Sequence, residues 1–83
     1  MKIETIDETI EVGAVFKGDK ILPRWFLWEK RKYSIIEINY TWNDRLGQEK
    51  IHCFSVTDGK NTYEISFNTE RTIWKLNKIC ENP

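Results

Sequence analysis

His52-Cys53-Phe54-Ser55-Val56-Thr57-Asp58-Gly59-Lys60-Asn61-Thr62-Tyr63-Glu64-Ile65-Ser66-Phe67 is the stretch on which the fold turns. Phe54 and Val56 lead into Asp58-Gly59-Lys60-Asn61, and Tyr63, Ile65 and Phe67 lead out. An Asp-Gly between two alternating apolar runs is a strong short-range signal for a β-hairpin. Parity governs the pairing. An even number of loop residues places Phe54 and Val56 on the same face as Tyr63, Ile65 and Phe67. An odd number without a bulge sets them against Glu64 and Ser66. A slip of one residue would expose the whole apolar set, so the register is strongly specified.

The flanking segments read in the same way. Ile10, Val12, Ala14 and Phe16 alternate with Glu11, Gly13 and Val15, which predicts a first strand. Residues 1–9 mix Ile with Glu and Asp and read as a loose arm or an edge strand. Lys17-Gly18-Asp19-Lys20 is a turn, and Pro23, which has no N–H, argues against a central strand at that point. Residues 24–28 read as a second strand that is apolar on both faces, with Phe26 and Trp28 on one and Trp25 and Leu27 on the other. A turn over residues 29–32 leads to a long third strand over residues 33–42. Its apolar parity changes from Tyr33 and Ile35 to Ile36, Ile38, Tyr40 and Trp42, the mark of a β-bulge that bends a strand. Residues 43–49 form a polar loop, and the hairpin supplies strands four and five. After a turn at residues 68–71, residues 72–79 carry Ile73, Trp74, Leu76 and Ile79 as a strand or a short helical turn.

Short strands with closely spaced turns predict an all-β fold: a small antiparallel, strongly bent, SH3-like barrel of five to six strands. Its core should gather Phe26, Trp28, Ile38, Phe54, Ile65 and Trp74. The 83 residues suit one domain spanning 1–83, with no repeat, low-complexity tract or linker. A chain this short buries only roughly 60–65% of its unfolded surface. Four Trp, three Tyr and four Phe help to offset that, since each large ring buries roughly 150–250 Å².

The order of the large residues carries a resemblance. Pro23-x-x-Phe26-x-Trp28-x-x-Arg31-x-Tyr33-x-Ile35 leads to Trp42, then to Thr57-Asp58-Gly59, Tyr63-Glu64-Ile65 and Trp74-x-Leu76-x-x-Ile79. This pattern resembles an uncharacterised bacterial family of small SH3-like barrels, some encoded near DNA-repair polymerase genes. It covers roughly residues 13–79 and consists mostly of aromatic core and turn positions. Lys30 departs from it, standing where glycine is expected before the arginine of a tight turn. The resemblance implies a fold and no catalytic residue.

The chemistry-bearing residues do not form a catalytic set. His52 and Cys53 are neighbours on a strand, so their side chains point to opposite faces. Cys53, Cys80 and His52 fall one ligand short of a tetrahedral zinc set, and no Cys-x-x-Cys occurs. Glu37 and Glu64 face outward beside inward apolar residues, where carboxylates serve solubility and cross-strand pairing. No phosphate loop, Ser–His–Asp arrangement or metalloprotease motif is present. The reading is of a non-enzymatic protein with no metal and no cofactor.

Charge is balanced, thirteen basic residues against thirteen acidic, which argues against attraction of the whole surface to nucleic acid or lipid. No run approaches the roughly 20 apolar residues of a membrane span. The acidic start lacks the apolar run of a secretory signal, which predicts a cytoplasmic protein with reduced thiols. One stretch stands out locally. Arg24, Lys30, Arg31 and Lys32 surround Trp25 and Leu27, and cations interleaved with aromatics are what single-strand nucleic acid binders use. Trp and Arg are equally the types that carry protein interfaces. The expected function is a binding module with a basic-aromatic surface, its partner a protein or single-stranded nucleic acid. The alternatives are a homodimer that buries Trp25 and Leu27, or a small-ligand pocket involving His52, Glu37 or Glu64.

Overall fold

A computed structural model describes residues 2–81, which form seven strands joined by turns and short connections. The strands are β1 (Lys2–Lys17), β2 (Lys20–Trp28), β3 (Arg31–Ser34), β4 (Glu37–Leu46), β5 (Glu49–Thr57), β6 (Asn61–Asn68) and β7 (Ile73–Glu81). All pairings are antiparallel, and the spatial order is β3-β2-β1-β7-β6-β5-β4. The all-β antiparallel class is as expected. The strand count exceeds the expected five to six, and the hydrogen bonding does not close into a ring.

The sheet is nevertheless curled. Its two end strands, β3 and β4, are consecutive in the chain and separated only by Ile35 and Ile36, so the ends must meet at one corner. There the Ile35 N–H donates to the Arg24 carbonyl of β2 (2.8 Å), and the Ile36 N–H donates to the Thr57 carbonyl of β5 (2.8 Å). Adjacent residues thus tie opposite halves of the sheet.

Long and irregular strands allow the curl. β1 pairs with β7 through residues 2–10 and with β2 through residues 11–17, so one strand serves both halves. Ile6 and Asp7 of β1 together face the position of Asn77 on β7, and Asn77 is itself an extra residue relative to β6. Such bulges bend a strand and increase its twist. Asp7 has a φ of 52°, and the Asn77 side-chain amide donates to Ser66 Oγ at 3.0 Å. A further bulge puts Arg24 between Trp25, opposite Gly13, and Pro23, opposite Ala14.

The central hairpin has the even-loop register. Phe54 faces Ile65, Val56 faces Tyr63 and His52 faces Phe67, so the apolar residues share the inner face. The core comprises Ile10, Phe26, Phe54, Val56, Tyr63, Ile65, Phe67, Trp74, Leu76 and Ile79. Trp28 and Ile38, expected among the fully buried residues, are only partly buried at its margin. The reason is position: Trp28 ends β2, while Ile38 starts the end strand β4.

Several expected boundaries move. Residues 2–9 are part of β1 and not a loose arm, although only β7 pairs with them, as suits an edge; Met1 lies outside the described residues. The turn at residues 29–32 is shorter than expected. Trp28 pairs directly with Arg31, leaving Glu29 and Lys30 as the two turn residues. The expected third strand is two strands, broken at Ile35 and Ile36. Its bulge lies further on, at Asn39, where Ile38 faces Val56 but Tyr40 faces Ser55. That extra residue sends Tyr40 and Trp42 to the outer face, away from Ile38, and leaves Tyr40 68% exposed, while Ile36, in the break before β4, is 71% exposed. The expected polar loop at residues 43–49 is largely strand, with Leu46 paired to Glu49 across Gly47 and Gln48. The C-terminal segment is strand β7 and not a helical turn.

Candidate functional site

The six residues expected to form a binding surface are dispersed by the pleat. Trp25 and Leu27 project to the outer face of β2, opposite the buried Phe26. Leu27 faces Lys32 on β3 and Glu11 on β1, while Trp25 faces Ser34 and Gly13. Lys32 joins them, its Nζ 5.2 Å from the centre of the Trp25 ring. Such a contact is a cation–π interaction. Lys30 occupies the turn and Arg24 the bulge; both are exposed. Arg31 goes the other way. Its guanidinium lies 5.7 Å from the Tyr33 ring centre, in a separate groove of about 550 Å³ that also includes Trp28, Asp58 and Tyr63.

Trp25 and Leu27 are half-buried. The indole of Trp25 covers Gly13 so closely that a Cβ built on Gly13 would collide with its Cε2, Nε1 and Cζ2 atoms. Glycine in a strand often marks such a close approach. Val15 and Leu22 face one another on the same outer face. Val15, Leu22, Trp25 and Leu27 therefore form a continuous apolar strip across β1 and β2. Alternation in the sequence sets Val15 apart from Val12, Ala14 and Phe16 but does not connect it with Trp25. Only the pairing of Gly13 with Trp25 joins the two.

Lys17, Lys20, Arg24 and Lys32 border this strip, with Glu11 on the opposite side. Lys17 and Lys20 face each other at the end of the β1–β2 hairpin. The local charge is positive although the chain is neutral. No family model, curated protein or solved structure matches the chain.

The residues that a catalytic reading would need lie apart. His52 Nδ1 is 2.8 Å from Asn43 Oδ1, in a groove between β2 and β4. Glu64 lines a different groove, beside Cys53, Ser66 and Lys75. Burial, together with the negative charges of Asp44 and Glu64, pushes the Cys53 thiol up to about 11, away from the low values of reactive cysteines. Cys53 and Cys80 are free thiols. Among the described residues, no three His, Cys, Asp or Glu side chains group as metal ligands. No helix among them is long and apolar enough to cross a membrane.

The central hairpin turn is held firmly. Asp58 Oδ1 accepts from the backbone N–H groups of Lys60 and Asn61, both at 2.9 Å, and Oδ2 accepts from the Tyr63 hydroxyl at 2.7 Å. Burial pushes the Asp58 carboxyl up, but these hydrogen bonds outweigh it and hold the group below its ordinary value. Burial and the bond to Asp58 push the Tyr63 phenol upward. The effect is structural: the turn is rigid and supports the inner face.

Proposed function

We propose that this chain is a small SH3-like barrel in a cytoplasmic setting, acting as a non-enzymatic binding module. Its partner is an acidic segment of another protein, taken on the outer face of β1 and β2. The observation that carries this reading is the apolar strip of Val15, Leu22, Trp25 and Leu27, bordered by Lys17, Lys20, Arg24 and Lys32. Apolar centres with polar rims typify protein interfaces. Half-buried Trp and exposed Arg are types that anchor them. The basic rim selects a partner rich in Asp or Glu through complementary potential.

A protein partner is favoured over single-stranded nucleic acid because Trp25 already has Gly13 beneath it and the Lys32 ammonium above it. A stacked base would need to displace that cation. A protein side chain can instead pack against the ring edge and Leu27.

Amide chemical shifts of the full chain, titrated with a synthetic peptide alternating Glu and Leu, test this. Shifts should centre on Val15, Leu22, Trp25 and Leu27, and the double variant Arg24→Glu, Lys32→Glu should abolish them. Those cations are exposed, so reversal should leave the fold intact. A short oligothymidylate that binds more tightly, with a steep loss on adding salt, would replace the protein partner with nucleic acid. Concentration-dependent light scattering that Leu27→Ser removes would replace it with a second copy. No shift on this face with either probe would overturn the module reading.

A further inference from the structure

The two ends of the sheet differ in how they are protected. β3 has four residues and displays Arg31 and Lys32. Short length and positive charge are ordinary means of blunting a sheet edge. β4 is ten residues long, and from Asn39 to Asn43 it carries no charge. Only β5 pairs with it. Its other edge presents alternate N–H and C=O groups without a ladder partner.

A second unpaired edge faces it. β3 pairs with β2 only from Trp25 to Trp28, so residues 20–23 of β2 pair with β1 alone. Pro23 lies in this half, where the missing N–H removes no ladder bond on the open side. The open halves of β2 and β4 flank one groove of about 410 Å³, lined by Lys20, Ile21 and Leu22 on one side and Ile38, Thr41 and Asn43 on the other. Phe54 contributes to its floor, and this floor is continuous with the core.

We propose that this seam receives one extended peptide segment of a partner protein as an additional strand between β2 and β4. Two unpaired edges on either side of one groove suit an extended occupant with backbone groups on both sides. Strands lie about 4.8 Å apart in the hydrogen-bonding direction, so an inserted strand that pairs on both sides requires the two edges to lie about twice that spacing apart. A folded second copy could add its own β4 to one edge only, and its sheet would meet β2. The occupant's inward side chains should be apolar, to lie over Ile21, Ile38 and Phe54. Its centre should be uncharged, matching residues 39–43. Binding through main-chain hydrogen bonds, with alternate side chains setting specificity, is the established mode of strand addition.

Panning a phage-displayed library of random linear peptides against the full chain tests this. Selected peptides should alternate apolar and polar residues. On binding, they should shift and protect backbone amides at residues 20–22 and 38–43. N-methylation of one backbone amide in the centre of a selected peptide should weaken it by about tenfold, as expected from the loss of one ladder hydrogen bond. Methylation of the next amide, if it points away from β4, should weaken pairing to β2 instead. Peptides that map only to the Trp25 strip, or that tolerate both methylations, would overturn the proposal. So would an absence of enriched peptides, or protection of β4 amides that arises from dimerisation without peptide. The seam shares Lys20 and Leu22 with the strip, but its β4 side at residues 38–43 lies outside it, so amide changes at 38–43 distinguish failure of one proposal from failure of the other.

Discussion

The indole of Trp25 lies over Gly13 on the neighbouring strand, in the space that a Cβ at Gly13 would occupy. The two residues are therefore one unit: the ring covers the backbone that glycine leaves bare. Gly13→Ala should displace the ring and destabilise the domain by about 1–3 kcal/mol, the usual range for overpacking. In a Trp25→Ala background the same change should be neutral or stabilising. A double-mutant cycle by chemical denaturation measures this coupling. Additive effects would show that the ring moves aside freely.

The turn between β2 and β3 combines two residues that poorly suit it. Glu29 and Lys30 have φ of 51° and 63°, the two positive values of a type I′ turn, which favours Asn-Gly. Replacing the pair with Asn-Gly should raise stability by about 1 kcal/mol. For a domain of this size that corresponds to a rise of about 4–8 °C in melting temperature. Thr72, β-branched and at φ 54°, offers a similar gain on replacement by Asn or Gly.

Phe26 and Trp28, one turn of the pleat apart, should differ sharply in their response to truncation. Phe26 is completely buried and stacks on Tyr33 with centroids 4.9 Å apart. Phe26→Ala should cost about 3–5 kcal/mol. Trp28 is partly exposed and donates its indole N–H to Glu8 at 3.3 Å. Trp28→Ala should cost clearly less, as read from denaturation midpoints. The reverse order would relocate the core towards the end of β2.

Acid should loosen the central hairpin. Asp58 is held below its ordinary value in the folded chain, so its contribution is complete above the unfolded aspartate range, near pH 3.9, and is lost as pH falls through the folded value. Tyr63 has the opposite sign. Its phenol is held above its ordinary value, so its contribution is present below about pH 10 and is lost at higher pH. Asp58→Ala should destabilise by about 1–3 kcal/mol and flatten the acid limb of a stability–pH curve. An unchanged acid limb would assign that limb to other carboxylates.

Cys53 should react slowly. It is 6% exposed, with its thiol pushed up to about 11 by burial and by Asp44 and Glu64. Mass spectrometry after a timed iodoacetamide pulse at neutral pH should find Cys80 labelled first. Faster labelling of Cys53 would indicate that β5 opens locally.

The sequence by itself determined the all-β class, the hairpin about Asp58-Gly59 with its alternating apolar residues, and the burial of Phe26, Phe54, Ile65 and Trp74. These follow from local rules: alternation with period two, and turn residues at set places. The four-residue loop that sets the even register is read from the pairing. The sequence also determined that Trp25 and Leu27 oppose Phe26, because a pleat permits nothing else. The tertiary structure alone decided that residues 33–42 break into two strands at opposite ends of the sheet. Parity changes by one residue at a bulge and at a corner alike, and only long-range pairing distinguishes them. The same limit hid the Asn39 bulge, which turned Tyr40 and Trp42 outward, and the seam between β2 and β4. Pairing with β2 also placed Arg31 and Lys32 in β3 and not in the turn, and once they are on a strand the pleat sends them to opposite faces.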